Sequence, residues 1–204
     1  MVSGLRRACV VGTLTMVIAG CSSEATPVIA ESSAPAEQQV LADGCPTLSA
    51  PPSGTEAKGK RIAGTTAPGE QQTLDRLVPG AQMDYVICQY PKRNSTDPGV
   101  EINVRAFRGQ NGTAQATTLA DVDQGSTSDS YADFVTVPGS GDNGGFAWSD
   151  DKELGLATHA GNAYVVLVVF PSDEANKNAD SRPALQKQVP GLTKIMADML
   201  TALR

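Results

Sequence analysis

Aromatic side chains, histidine and long apolar runs are all scarce in this chain: 4% of its 204 residues are Phe, Trp or Tyr, and histidine occurs once. A single imidazole starves schemes that need several histidines, such as ordinary zinc sites. Near the amino end the longest apolar run is about a dozen residues, whereas a membrane-spanning helix needs about 20. Basic charge is also in short supply, with 16 Lys and Arg against 22 Asp and Glu. Residues 1–20 hold Arg6 and Arg7 and no acid, so their removal leaves 14 basic and 22 acidic groups, a net of −8. A surface that acidic repels phosphate backbones and anionic headgroups beyond a few ångströms unless a local basic patch overrides it, and no such patch stands in the sequence. Nucleic acid is therefore not expected as a partner.

What is present begins at the amino end. Met1–Ala8 carries Arg6 and Arg7, and the run Cys9 to Gly20 follows it. A short basic segment before a short apolar one reads as an export signal that is removed, not as an anchor. The segment Ile18-Ala19-Gly20-Cys21, directly before the polar Ser22-Ser23-Glu24, resembles the bacterial lipobox. That resemblance implies cleavage after Gly20 and a diacylglyceryl group on the Cys21 thiol, with acyl chains of the palmitate type. The alternative is an ordinary cleaved signal with an incidental Cys21. Arg6-Arg7 lacks the flanking residues of a twin-arginine signal, so general secretion is the expected route. Two acyl chains hold a protein stably where one holds it only reversibly, at about 0.8 kcal/mol per buried CH₂. The expected location is the outer face of the cytoplasmic membrane.

Residues 22–44 are rich in Ser, Ala, Pro, Glu and Gln, with Val28, Ile29, Val40 and Leu41 as the only aliphatics larger than Ala. Such a stretch buries too little to offset about 1–2 kcal/mol of ordering per residue, so residues 21–44 are expected to be a lipidated, disordered tether. Of the four cysteines, Cys9 falls in the signal and Cys21 at the lipid site. Cys45 and Cys88 remain, and in an oxidising compartment a disulfide is the default. The absence of any CxxC and the distance of the sole histidine argue against a redox or metal pair.

Residues 45–204 read as one α+β domain: a twisted, mainly antiparallel sheet packed against a kinked C-terminal helix and a short N-terminal helix. Leu74, Leu77 and Val78 lie at helical spacing before Pro79-Gly80. Residues 83–90 and 100–107 are strand-like, the second strictly alternating, with Asn94–Gly99 as the turn between them. Residues 113–122 suggest a weak helix, and Tyr131–Val137 a strand. Residues 154–159 and 163–170 suggest a second hairpin, whose unbroken apolar run marks the central strand, covered on both faces. Leu185, Val189, Leu192, Met196, Met199 and Leu203 form a helical stripe running through Pro190-Gly191. That implies a kinked helix or two abutting ones, packed on the sheet in preference to serving as a lipid-binding face.

The Cys45-Pro46 start, Cys88-Gln89-Tyr90 within an early strand, Val137-Pro138-Gly139-Ser140-Gly141-Asp142, the paired strands and the terminal helix resemble the actinobacterial lipoproteins of the domain-of-unknown-function 3558 family. The family often has Ala soon after this motif, where Asn143-Gly144-Gly145 stands here. The resemblance implies an envelope lipoprotein and no particular reaction or ligand.

No catalytic set emerges from the motifs. Gly139–Gly144 fits GxGxxG literally, but no helical stripe follows to face a pyrophosphate, so a flexible turn is expected. His159 lies at a strand end without a GxSxG, and a surface or edge-strand histidine is the expectation. Asp121, Asp123, Asp129 and Asp133 miss the calcium-loop pattern, because Ser126 and Ala132 stand at its sixth and twelfth positions. No pair of carboxylates stands out as glycosidase-like, their separation being a three-dimensional quantity. Phe146 and Trp148 fit a core plug better than an exposed contact surface. No catalytic residue, metal or cofactor is expected. The expected function is that of a non-catalytic, lipid-anchored module that binds an envelope protein or glycolipid. The alternative is a carrier that holds a lipid or glycolipid in an apolar cavity of about 300–1,000 Å³ between sheet and helix.

Overall fold

The computed structural model describes residue 41 and residues 44–150, 152–170 and 182–203. The expected signal, Ile18-Ala19-Gly20, Cys21 and most of the expected tether lie outside the described residues. Within them the chain runs β1 (Lys60–Ala63), α1 (Pro68–Leu77), β2 (Met83–Pro91), β3 (Pro98–Phe107), α2 (Gly112–Ser130), β4 (Asp133–Val137), β5 (Gly145–Ser149), β6 (Leu154–Ala160), β7 (Ala163–Val169) and α3 (Arg182–Ala202). This is the expected α+β class.

All seven strands form one sheet in the order β1-β2-β3-β7-β6-β5-β4, every neighbour antiparallel. Two meanders therefore meet where β3 pairs with β7, and β7 is the central strand, as its apolar run implies. The alternation of β3 places Val100, Ile102, Val104 and Ala106 on one face, all at most 2% exposed. Glu101, Asn103 and Arg105 take the other face.

Both faces of the sheet are covered. On one, Leu192, Ile195, Met196, Met199 and Leu203 of α3 pack against Val135, Val137, Leu156, Leu167 and their neighbours. On the other, α1 and α2 bury Leu74, Ala116, Leu119 and Ala120 against Phe146, Trp148, Ala157 and Tyr164. The α2 helix carries the chain from β3 to the far edge at β4. Its 19 residues span about 28 Å, and four strand spacings need only about 19 Å, so one helix suffices for the crossing.

Several elements differ from expectation for identifiable reasons. The α2 helix is twice the length that its sequence suggests, because it rests on the sheet through small residues, Ala116, Ala120 and Thr127, which give no strong stripe. Its end at Ser130 shifts the start of β4 to Asp133, leaving Tyr131 as the helix cap. The β5 strand, absent from the expectations, is only five residues long, yet Phe146 to Ser149 are all buried. One helix passes through Pro190, and that proline is exposed on its outer side, where the hydrogen bond it forfeits is nearest solvent.

The segment before β1 seals the α3 face beside β2. Leu41 and Leu48 are each 2% exposed within that core, so folded structure reaches into the stretch that composition assigns to the tether. The Tyr90 hydroxyl donates to the Pro46 carbonyl at 2.8 Å, and Ser49 donates from its amide and hydroxyl to Asp198 at 2.7 and 2.9 Å. Cys45 and Cys88 form a disulfide with their Cα atoms 5.6 Å apart. Because this bridge closes a span of 43 residues, Cys45→Ala with Cys88→Ala should lower the unfolding free energy by roughly 4 kcal/mol in the chain-entropy treatment. Guanidinium unfolding checks this, and an unchanged midpoint would refute it.

Candidate functional site

The strand register gathers polar side chains on the α1/α2 face. Tyr85, Arg105, Tyr164 and His159 are direct cross-strand neighbours on β2, β3, β7 and β6. Each has a partner supplied from outside its own strand. Arg105 forms an ion pair with Glu70 of α1 and lies 4.7 Å from the centre of the Tyr85 ring. The Tyr164 hydroxyl donates to Asp123 of α2. The Tyr85 hydroxyl donates to Asn103 at 2.9 Å, and the Asn103 and Gln89 amides both donate to Glu101, at 3.1 and 3.0 Å.

His159 is 4% exposed on an interior strand, which corrects the expectation of a surface or edge position. The turn at Gly161 keeps β6 paired with β7 up to Ala160, while on the β5 side the ladder ends at Thr158 and the Asp142 amide donates to the His159 carbonyl at 3.0 Å. Its Nε2 lies 3.2 Å from Thr117 Oγ1 and 3.4 Å from the Asn143 amide nitrogen. The Thr117 hydroxyl donates its only proton to the Thr113 carbonyl at 3.0 Å, so its oxygen is left to accept. The Asn143 amide nitrogen can only donate and the Thr117 oxygen can accept, so the two neighbours place opposite demands on Nε2 while both lie against it.

Residues 138–144 form the β4–β5 turn. Thr158 donates to the carbonyls of Ser140 and Gly144 at 2.7 and 3.0 Å, and Asp142 accepts from the Gly161 amide at 2.6 Å. Gly141 has φ +68°, and a Cβ there would lie 2.2 Å from both the His159 carbonyl and Thr158 Oγ1. The glycine is needed for close approach of backbone to backbone. A strand follows the turn, so there is no helix end to meet a phosphate.

Phe146 and Trp148, 2% and 5% exposed, belong to the core, and their rings lie 5.7 Å apart. Glu153 accepts from the Trp148 indole at 3.2 Å and from the Tyr131 hydroxyl at 3.1 Å. Of the four acids weighed for calcium, Asp121, Asp123 and Asp129 lie on α2 and Asp133 on β4. Among the described residues no three His, Cys, Asp or Glu side chains come together as a metal site, and no helix is long and apolar enough to cross a membrane. An open depression of about 590 Å³ lies at the β2–β3 turn, lined by Glu56, Pro91, Lys92, Asn94, Ser95 and Thr96.

Glu70, Arg105 and Tyr164 carry no motif, and Asp123 enters the sequence reading only among the acids weighed for calcium. The one sequence signal available was the repeated polar residue at every second position of β3, with Glu101, Asn103 and Arg105 opposite an apolar face. No family model, curated protein or solved structure matches the chain.

The tyrosines report on this packing. Burial, reinforced by Asp123, raises Tyr164 well above the ordinary value of 10. Burial, reinforced by Glu153, pushes Tyr131 up to about 12. Burial also raises Tyr85, against the opposing charge of Arg105, and raises Tyr90. All four tyrosines of the chain are thus held protonated by folding, and the unfolded chain would ionise them near pH 10. The stability they contribute is complete below about pH 10 and falls as the pH climbs toward 12. Tyrosinate absorbance should accordingly rise at higher pH in the folded protein than in the denatured chain; coincident titration curves would refute this. Separately, Gly155→Ala should cost about 1–3 kcal/mol by overpacking, since its Cβ would fall 2.0 Å from the Trp148 ring. Thermal unfolding checks it.

Proposed function

We propose that the chain is a lipid-anchored lipoprotein of the bacterial cell envelope, resembling the actinobacterial family named above, and that its domain acts as a non-catalytic binding module. In this reading residues 1–20 direct export, Cys21 carries the lipid, and the domain stands on the outer face of the cytoplasmic membrane. Its partner is another envelope component, a protein or a glycolipid. The observation that carries the reading is the Cys45–Cys88 bridge, because disulfides persist in oxidising compartments and this one accompanies an export-type amino end.

The polar row on the α1/α2 face serves the packing of the domain. Arg105 is held by Glu70, Tyr164 by Asp123, and His159 by Thr117, so these groups stabilise one another in place of a reacting substrate. The carrier alternative draws less support. Leu185, Leu192, Ile195, Met196 and Met199 fill the layer between sheet and α3 and are at most 4% exposed.

The proposal makes one decisive claim about Cys21. In the producing cell, Cys21→Ser should release the protein from membranes or leave its precursor uncleaved, read by detergent partitioning and intact mass. A native product with bare Cys21, or a variant with unchanged partitioning and mass, would overturn it.

A further inference from the structure

A basic edge is assembled by the fold from two sequence segments that are some thirty residues apart. The Glu56 amide donates to the Pro91 carbonyl at 2.9 Å and the Arg93 amide to the Gly54 carbonyl at 2.7 Å. Thr55 bridges to Lys92, and Lys60 and Arg61 pair with Gln89 and Cys88. Residues 54–61 therefore lie antiparallel beside residues 88–93. Together these segments carry Lys58, Lys60, Arg61, Lys92 and Arg93 against the single acid Glu56. This gathering of five basic groups on one edge corrects the expectation, drawn from the linear sequence, that no local basic patch exists.

Lys58, Lys60, Arg61 and Arg93 are exposed, and among the described residues Lys58, Lys60 and Arg93 are in no ion pair. The neighbouring acids Glu101 and Asp97 meet neutral partners, Gln89 and Asn103 for the first and Ser95 at 3.1 Å for the second, and neither forms an ion pair with the edge among the described residues. Arg61 donates to the Leu41 carbonyl at 2.8 Å. Leu41 is the first described residue, twenty positions after Cys21. The chain coming from Cys21 thus joins the folded body at the basic edge itself.

We propose that this edge docks on the anionic headgroups of the bilayer that holds Cys21, orienting the domain with β1 toward the membrane. The inference rests on the lipoprotein reading only for its choice of membrane. Attraction to an anionic leaflet acts within about 8 Å at physiological salt, so it requires the close approach that attachment at Leu41 supplies. Lysines on an edge strand also guard against sheet-to-sheet association, and that role by itself would produce no headgroup binding.

The test uses the mature chain with Cys21→Ser, made without lipid, and vesicles of phosphatidylcholine alone or with about 30% phosphatidylglycerol. Binding is expected only to the anionic vesicles, and it should vanish between about 20 mM and about 500 mM salt. Lys58→Glu with Lys60→Glu should weaken it about tenfold or more, whereas Lys187→Glu with Lys194→Glu on α3 should leave it nearly unchanged. Both pairs are exposed, and retention of the Cys45–Cys88 bridge and an unchanged melting temperature check the fold. No binding to anionic vesicles, equal loss in the two variants, or tighter binding to a soluble anionic polysaccharide than to vesicles would overturn the proposal. Because this chain has no lipid, a negative result leaves the Cys21 anchor standing, and a bare native Cys21 leaves a positive result standing.

Discussion

The pairing of β3 with β7 is the contact on which the rest of the molecule depends. It joins a three-stranded and a four-stranded meander whose other contacts are local, and it sets Val100, Ile102 and Val104 against Val169, Leu167 and Val165. Side chains alternate between faces, so a slip of one residue would turn Glu101, Asn103 and Arg105 into the α3 core. Correct register instead presents those three to α1 and α2, where Glu70 and Asp123 wait for Arg105 and Tyr164. A single register therefore satisfies an apolar layer and a polar one together.

The polar row has an energetic logic as well. A buried hydroxyl or guanidinium without a partner costs about 1–3 kcal/mol or more, whereas a made hydrogen bond returns only about 1. Arg105, Tyr164 and His159 are worth burying only if the helices sit where their partners can reach. The row thereby fixes how α1 and α2 lie on the sheet, a task that α2, with its small and polar residues, could not accomplish by apolar contact alone. Structural specificity is its clearest consequence, and the surface is left to carry recognition.

Much of this fold was legible from pattern. Strict alternation in β3, the continuous apolar run of β7 and the stripe of α3 each stem from burial that period alone reveals. The misreadings came from elements whose burial is carried otherwise. The α2 helix buries Ala and Thr, β5 is too short to show a period, and Leu41 is one of four scattered aliphatics in a polar stretch. The functional features were less legible still. His159 gave no hint that an interior strand would enclose it, Arg105 and Glu70 meet across 35 positions, and the basic edge exists only once residues 54–61 lie beside residues 88–93. Charges that converge through strand pairing leave no run to read.

The disulfide sets where a pull on the amino-terminal segment would enter the fold. Cys45 lies four residues beyond Leu41 and is bonded covalently to Cys88, midway along β2. Tension arriving along the chain passes through that bond into a strand flanked on both sides by others. The four-residue edge strand β1, the easiest to peel away, is bypassed by the load. Such a pull would thus be resisted by the sheet interior and not by its weakest margin.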